Sequence, residues 1–276
     1  MSGSPRAAHP RAADAELAGD LVRGAGELAH RMRADGVEVE TKSSISDLVT
    51  AADHAAEEYI LTRLARERPD DGVLGEEGAA RPSASGRRWV IDPVDGTYNF
   101  VAGLPWWCSA LALVEGGPDE EEILLGAVHH PYADLLYLGG PGLPTTRNGL
   151  PLAPLRDRPL AESCLATYLH PPYWGNAAGA VFGEMVTGAA TLRMLGSGSM
   201  DLAAIAEGTL QVSCQHTVPE WDRLPGVALV LGLGGAHRRV QAGGVEWSVT
   251  GVPTAVAEVC DRLLSGAGAG DPARGR

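Results

Sequence analysis

Apolar side chains recur at Leu17, Leu21, Leu28 and Met32, a near-helical spacing that predicts an amphipathic helix over about 13–33. A second helix is expected after Thr50. Thr50 and Asp53 form a capping pair, and Tyr59, Ile60, Leu61 and Leu64 supply the apolar stripe behind it. The pattern then changes period. Residues 89–91, 108–114, 123–130 and 134–138 read as strands separated by Gly, Pro and Asp turns, the last three forming an antiparallel meander. Turn residues crowd 139–149, through Pro144 and Asn148-Gly149, and make that stretch the best candidate boundary. Beyond it, helices are expected at 199–207, 222–233 and 253–264, alternating with strands near 210–213 and 245–249. Helices on an antiparallel sheet, followed by an alternating α/β half, make this a mixed α+β chain. The expected organisation is a flexible tail at 1–13, an N-terminal α+β subdomain at 14–148, a C-terminal α/β subdomain at 149–265 and a second tail at 266–276. No internal repeat interrupts this order.

A chain of 276 residues with 45% apolar content can bury a large core, as one domain or as two tightly packed halves. No apolar run approaches the ~18 residues of a membrane-spanning helix. The first residues are rich in Ser, Pro, Arg and Ala and lack the continuous apolar stretch of a signal peptide. Cys108, Cys164, Cys214 and Cys260 show no paired metal spacing, so reduced thiols in the cytoplasm are expected. A net charge of −13 argues against a nucleic-acid polymer as partner.

The densest chemistry lies in Trp89-Val90-Ile91-Asp92-Pro93-Val94-Asp95-Gly96-Thr97-Tyr98-Asn99-Phe100. A buried strand ending at Ile91 is followed by Asp-Pro and Asp-Gly, so a sharp bend is expected there, with both carboxylates at the strand's carboxyl end. One reading is an ordinary surface Asx/Gly turn. The other is a divalent-metal loop facing a phosphate, since Mg²⁺ takes oxygen ligands from carboxylates, waters and substrate phosphate. Gly96 would let backbone N–H groups approach an anion, and a helix starting near Thr97 would add a favourable dipole. His129-His130 is not read as a metal pair, because adjacent strand residues point to opposite faces. Gly196-Ser197-Gly198 lacks the full nucleotide-loop fingerprint. Trp106-Trp107 and the cluster from His170 to Trp174 are candidates for core packing, substrate contact or a subunit interface.

Other segments fall into order around the aspartate turn: Lys42-Ser43-Ser44, Asp47-Leu48-Val49-Thr50-Ala51-Ala52-Asp53, Gly75-Glu76-Glu77-Gly78, Arg193-Met194-Leu195-Gly196-Ser197-Gly198-Ser199-Met200-Asp201, Trp221-Asp222 and Gly234-Gly235. This set, spanning most of the chain, resembles the inositol monophosphatase family, part of the magnesium-dependent, lithium-sensitive phosphatase superfamily. The resemblance implies a layered αβαβα sugar-phosphatase architecture. It also implies Glu76, Asp92, Asp95, Asp222 and the Val94 carbonyl as ligands of two or three Mg²⁺ ions, with Asp53, Thr97 and Glu76 handling the attacking water. Asp95, Gly96, Thr97, Gly196, Ser197, Gly198, Gln215 and Asp222 are the implied substrate contacts. Glu77 either supports the site or faces solvent. Lys42 and Asp47 are open between a site role and an ordinary loop role. A homodimer is implied, because dimers are common in the family.

The sequence departs from the family pattern at particular places. Gln215 stands seven positions before Asp222, where many members carry an acidic residue that hydrogen-bonds ring hydroxyls; an amide donates as well as accepts. Tyr98 replaces the usual second threonine. Arg223-Leu224-Pro225-Gly226 replaces the usual small residues; Pro225 fits if it lies in the first helical turn, and Arg223 either reads a second anionic group or is solvated. The expected function is a Mg²⁺-dependent phosphate monoesterase acting on a small polyhydroxylated phosphate of inositol, sugar or nucleotide type by metal-activated water. Histidinol phosphate or another biosynthetic intermediate is an alternative substrate. A catalytically silent member that binds a phosphorylated metabolite or a partner is the alternative function. A metal-free carboxylate-pair glycosidase fits poorly, because its acids need not cluster beside a glycine turn.

Overall fold

Two helices open the chain in the computed structural model, which describes residues 11–36, 39–41, 48–117 and 121–269. Helix α1 (Ala12–Asp35) takes in Ala12 and Ala13, which the sequence reading assigned to a tail. Arg11 ties its start to the large sheet through the Leu124 and Pro141 carbonyls, each at 3.3 Å. A short ladder of β1 (Val39–Thr41) and β2 (Leu48–Thr50) leads into α2 (Ala51–Glu67). The expected cap is in place. The Thr50 hydroxyl accepts from the Ala52 and Asp53 amides, and the Asp53 carboxylate accepts from the Thr50 amide.

Strands β3 (Gly72–Gly75), β4 (Ala80–Arg81), β5 (Arg87–Asp95), β6 (Cys108–Glu115), β7 (Glu122–His130), β8 (Leu135–Gly140), β9 (Leu143–Arg147) and β10 (Leu150–Pro151) form one sheet. Its order is β10-β9-β8-β7-β6-β5-β3-β4, antiparallel except where β3 lies parallel to β5. The predicted meander is β6 to β8. The predicted bend after Ile91 is corrected: β5 continues to Asp95, and the ladder to β6 is interrupted only between Asp92 and Asp95. Pro93 has no N–H to donate, so Asp-Pro makes a bulge in the strand, and the chain turns at Gly96 instead, where φ is 95°. Helix α3 (Thr97–Ala102) begins there. The turn-rich 139–149 stretch holds two hairpin turns at the sheet's edge, joining β8 to β9 and β9 to β10.

The second half builds a mixed sheet from β11 (Cys164–Tyr168), β12 (Thr191–Arg193), β13 (Val212–His216), β14 (Ala236–Ala242) and β15 (Val245–Gly251), in the order β12-β11-β13-β15-β14. Strand β11 is parallel to both neighbours, and the remaining pairs are antiparallel. Helices α4 (Ala177–Val186), α5 (Gly198–Ala206), α6 (Glu220–Gly232) and α7 (Pro253–Ala269) alternate with these strands. Helix α7 carries on past its predicted end, into residues assigned to the second tail. Strand β14 and helix α4 were not predicted, although both carry local signals. Gly243 and Gly244, at φ 60° and 81°, turn the β14–β15 hairpin, and the Asn176 side chain caps α4 by accepting from the Ala178 amide at 2.9 Å. Pro225 is also corrected. Helix α6 starts at Glu220, so Pro225 lies in the helix interior and leaves the Trp221 carbonyl without its helical donor.

Alternation along the strands sorts side chains into layers. Trp89, Ile91, Leu111, Leu113 and Leu125 meet Leu17, Leu21, Ile60 and Leu64 of α1 and α2 on one face of the large sheet. On the other face Val90, Ala112 and Val114 meet Leu224 of α6, and Ala110 and Val128 meet Met200 and Ala203 of α5. Helices α5 and α6 in turn pack Leu202, Ile205, Val227 and Val230 against Ala166 of the small sheet. Its opposite face, with Leu165, Val212 and Trp247, is covered by Val181 and Met185 of α4 and Val256 and Leu263 of α7. The result is the expected αβαβα stack. Among the described residues no helix is long and apolar enough to cross a membrane.

Two places in the middle layer test this packing. A Cβ on Gly126 of β7 would stand 2.1 Å from the Pro225 carbonyl oxygen and 2.8 Å from the Ala228 Cβ. Gly126→Ala should therefore lower stability by about 1–3 kcal/mol in urea unfolding; wild-type stability would contradict this account of how α6 seats. Asp201 of α5 is buried, with Oδ1 accepting the Trp106 indole N–H at 3.1 Å and Oδ2 without a protein partner. Burial pushes its pKa up to about 8, with the Trp106 hydrogen bond opposing the rise and the negative charge of Asp95 adding to it. The folded protein thus keeps a proton that the unfolded chain releases near pH 3.8, so stability falls as pH rises from there to about 8. Asp201→Asn, which cannot titrate, should lessen the fall in melting temperature across that window and raise the value at pH 8. An unaltered pH profile would refute this assignment.

Candidate active site

The carboxyl end of β5 opens into a cleft of about 380 Å³ between the two sheets. Asp92 and Asp95 come from the bulged end of β5, and Glu76 from the residue after β3. The Glu76 amide donates to the Ile91 carbonyl at 3.1 Å, so the parallel β3–β5 pairing sets Glu76 beside Asp92. Asp222 arrives from the first turn of α6. Carboxylate oxygens of Asp92, Asp95 and Asp222 lie within 4.8 Å of one another, and Glu76 lines the same cleft. Asp92 is buried, and its Oδ1 accepts from the Val94 amide at 3.1 Å. Burial, reinforced by the negative charges of Glu76, Asp95 and Asp222, pushes its pKa far above the usual carboxylate range. The interaction that relieves such a cluster is a bound cation. An all-oxygen, carboxylate-rich donor set fits a hard divalent ion.

Asp95 is held from the start of α5. Ser197, the N-cap, donates its hydroxyl to Oδ2 at 3.0 Å; the Ser199 amide donates to the same oxygen at 2.5 Å and the Gly198 amide to Oδ1 at 3.3 Å. Burial still raises its pKa, and these donors offset part of the rise. The approach requires glycine. A Cβ on Gly96 would stand 3.1 Å from the Gly196 carbonyl oxygen in a backbone conformation that L side chains rarely adopt. Thr97 Oγ1 lies 3.0 Å from the Val94 carbonyl oxygen and 3.3 Å from Asp53 Oδ1, so one hydroxyl proton has two possible acceptors. Asp53 is buried behind Thr97, and burial raises its pKa against the Thr50 hydrogen bond.

The predicted residues Glu76, Asp92, Val94, Asp95, Gly96, Thr97, Gly196, Ser197, Gly198, Gln215 and Asp222 all line the cleft. Asp53 does not line it and is linked to it by the Thr97 hydroxyl, 3.3 Å from Asp53 Oδ1. Glu77 is resolved between its two readings: its side chain is buried, 4.0 Å from His54 Nδ1. Arg223 is half-buried rather than fully solvated; it does not line the cleft itself but a small pocket adjoining it, which shares Gly198, Gln215 and Asp222 with the cleft. The two histidines of β7 stay apart, with His129 Nε2 3.4 Å from Asp134 Oδ1 and His130 Nε2 2.8 Å from the Pro105 carbonyl oxygen. Trp107 is a core residue packed on Phe100 and Val94. Lys42 and Asp47 lie outside the described residues.

Three supports escaped the sequence reading. The Glu57 carboxylate accepts from the Glu77 and Ala79 amides at 3.0 and 3.2 Å and so holds the turn that carries Glu76. Its one signal was a carboxylate four residues after Asp53, on the buried face of α2. Asn99 Nδ2 donates to the Trp106 and Leu195 carbonyls, both at 2.7 Å, clamping the Gly196 loop to the aspartate turn. Tyr168 and His170 also line the cleft; the aromatic cluster from His170 to Trp174 held substrate contact among its expected uses, whereas nothing local marks Tyr168.

Comparison with known proteins agrees with this geometry. The chain is 31% identical over 197 residues to the fructose-1,6-bisphosphatase/inositol-1-monophosphatase of Aquifex aeolicus, covering 70% of this chain and 73% of that one. It is 45% identical over 105 residues to the histidinol-phosphatase of Mycobacterium tuberculosis, covering 38% and 40%. The solved IMPase of Thermotoga maritima superposes with a TM-score of 0.78 at 26% identity, over 93% of this chain and 98% of that one. Residues 13–264 match the Inositol monophosphatase family. With that match over nearly its whole length and the acidic cleft in place, the chain belongs to the inositol monophosphatase family, a family of phosphoric monoester hydrolases.

Proposed function

We propose that this chain hydrolyses a small phosphate monoester with Mg²⁺ as the cofactor. The observation that carries the reading is the buried Asp92 carboxylate surrounded by Glu76, Asp95 and Asp222 at the floor of an open cleft. Glu76, Asp92, Asp95, Asp222 and the Val94 carbonyl would hold the metal. When bound, divalent ions at such a site neutralise phosphate charge and lower the pKa of water.

The protein's own groups do the rest. When its hydroxyl hydrogen bond is directed to Asp53 rather than to the Val94 carbonyl, Thr97 keeps an oxygen lone pair for the attacking water and can take a proton from it as its own proton passes to Asp53. Burial keeps Asp53 a better proton acceptor than an exposed carboxylate. Gly96 lines the cleft, where the backbone of the turn can meet the phosphate, and its missing side chain lets the Gly196 loop close against that turn. The α5 amides are spent on Asp95 and hold it against its acidic neighbours. A cleft of about 380 Å³ suits a phosphate ester whose alcohol is about one ring in size.

Asp95→Asn exchanges one carboxylate oxygen for an NH₂ that must face either the Gly198 amide or the Ser197 hydroxyl and Ser199 amide, and removes a charge from the cluster; phosphate release should fall at least about a hundredfold. The melting temperature should change little, and chelator should abolish wild-type turnover until Mg²⁺ is restored. Full activity in the variant, or in chelator-treated enzyme, would overturn the reading. Thr97→Ser should keep most of the activity, whereas Thr97→Val should lose about 10²–10⁴-fold in kcat. Equal rates for the two would remove Thr97 from the proton path.

A further inference from the structure

One wall of the cleft, supplied by the small sheet, is built of rings and an amide. Strands β11 and β13 pair in parallel with Tyr168 beside Gln215, so both side chains leave the same face of the small sheet and line the cleft. Tyr168 and His170 meet edge to face, with ring centroids 4.5 Å apart and planes at 70°. His170 is braced from behind by His216 at 5.5 Å, and His216 is wedged between Tyr173 at 4.4 Å and Trp247 at 5.3 Å. Burial holds the His216 imidazole neutral, with its pKa lowered to about 4.

Such a wall suits one kind of alcohol better than another. Hydroxyls of a polyol ring are bound best by strong acceptors, and a carboxylate is absent at the position of Gln215. A planar nitrogen heterocycle can lie on aromatic faces and exchange one donor and one acceptor with a single amide. We propose that Tyr168, His170 and Gln215 form the receptor for a nitrogen-containing heteroaromatic ring on the alcohol side of the phosphate ester. The substrate class is then a phosphate of an imidazole- or purine-bearing alcohol rather than of a polyol. The inference rests on the hydrolase reading of the acidic cleft and adds what the small-sheet wall recognises.

The test measures kcat/KM with Mg²⁺ for histidinol phosphate, 2′-AMP and myo-inositol 1-phosphate, with ring-free glycerol 2-phosphate as the internal reference. One heteroaromatic ester should exceed the inositol ester at least tenfold, and which one does so separates imidazole from purine. His170→Ala should cut the ratio of that ester to glycerol 2-phosphate by about five- to tenfold, and Gln215→Glu should move selectivity toward the inositol ester. Preference for the inositol ester, or an unchanged ratio in His170→Ala, would overturn the proposal. Binding of histidinol, adenosine and myo-inositol, followed by saturation-transfer NMR, reads the wall without turnover. Ring binding that His170→Ala weakens would uphold the receptor even if no ester were hydrolysed, an outcome that would sink only the hydrolase reading. No ring binding would sink the receptor itself.

Discussion

Like charges gathered where water is nearly excluded set the terms for the rest of this molecule. Asp92 lies buried with Glu76, Asp95 and Asp222 close enough to raise its pKa strongly. Left to itself such a cluster would spread apart or take up protons. Backbone donors prevent the spreading: the Val94 amide fixes Asp92, and the first amides of α5 fix Asp95. Even the turn bearing Glu76 is pinned, by the buried carboxylate of Glu57. The protein holds repelling groups in register, and the electrostatic deficit that remains is what a divalent cation offsets.

Holding that arrangement calls for the five-layer stack. Helices α5 and α6 are shared between the sheets, and each delivers part of the site from its first turn, α5 the support for Asp95 and α6 the carboxylate of Asp222. The cleft consequently has two walls of different origin. Acids and the Thr97 hydroxyl come mainly from the large sheet, whereas Tyr168 and Gln215 come from the small one. Selectivity on the small-sheet wall can change while the acidic wall stays intact. Of the departures from the family pattern, Gln215 falls on the small-sheet wall and Tyr98 in α3 beside the acidic turn, and the acidic residues themselves match.

Much of the fold was legible wherever a signal was local. Thr50 and Asp53 mark the start of α2, the alternation of Trp89, Val90 and Ile91 marks a strand buried on both faces, and the meander of β6 to β8 follows from its turns. Legibility failed where two local signals competed. Asp-Pro reads as a turn, yet in a strand paired on both sides it became a bulge, because the ladder to β6 resumes at Asp95 and Cys108. Pro225 reads as a helix-start residue, yet packing of α6 against Gly126 placed it inside the helix. Of the site, the acidic groups and the Asp53–Thr97 pair were legible by motif. Glu57, Asn99 and Tyr168 were not, since each meets a partner far away in sequence or across a sheet, and His170 was marked only as one of an aromatic cluster.

By itself the sequence determined which residues carry charge and hydroxyl chemistry, and which short stretches become helix, strand or turn. Those properties depend on neighbours a few positions apart, where steric and hydrogen-bond preferences act directly. Tertiary structure alone decided that Asp53 sits behind Thr97, that Arg223 lines a small pocket adjoining the cleft, and that a tyrosine and a histidine line the cleft beside Gln215. These outcomes depend on the register of β11 against β13 and on the seating of α5 and α6 between two sheets. Packing of residues a hundred or more positions apart selects them, and no local spacing encodes that choice.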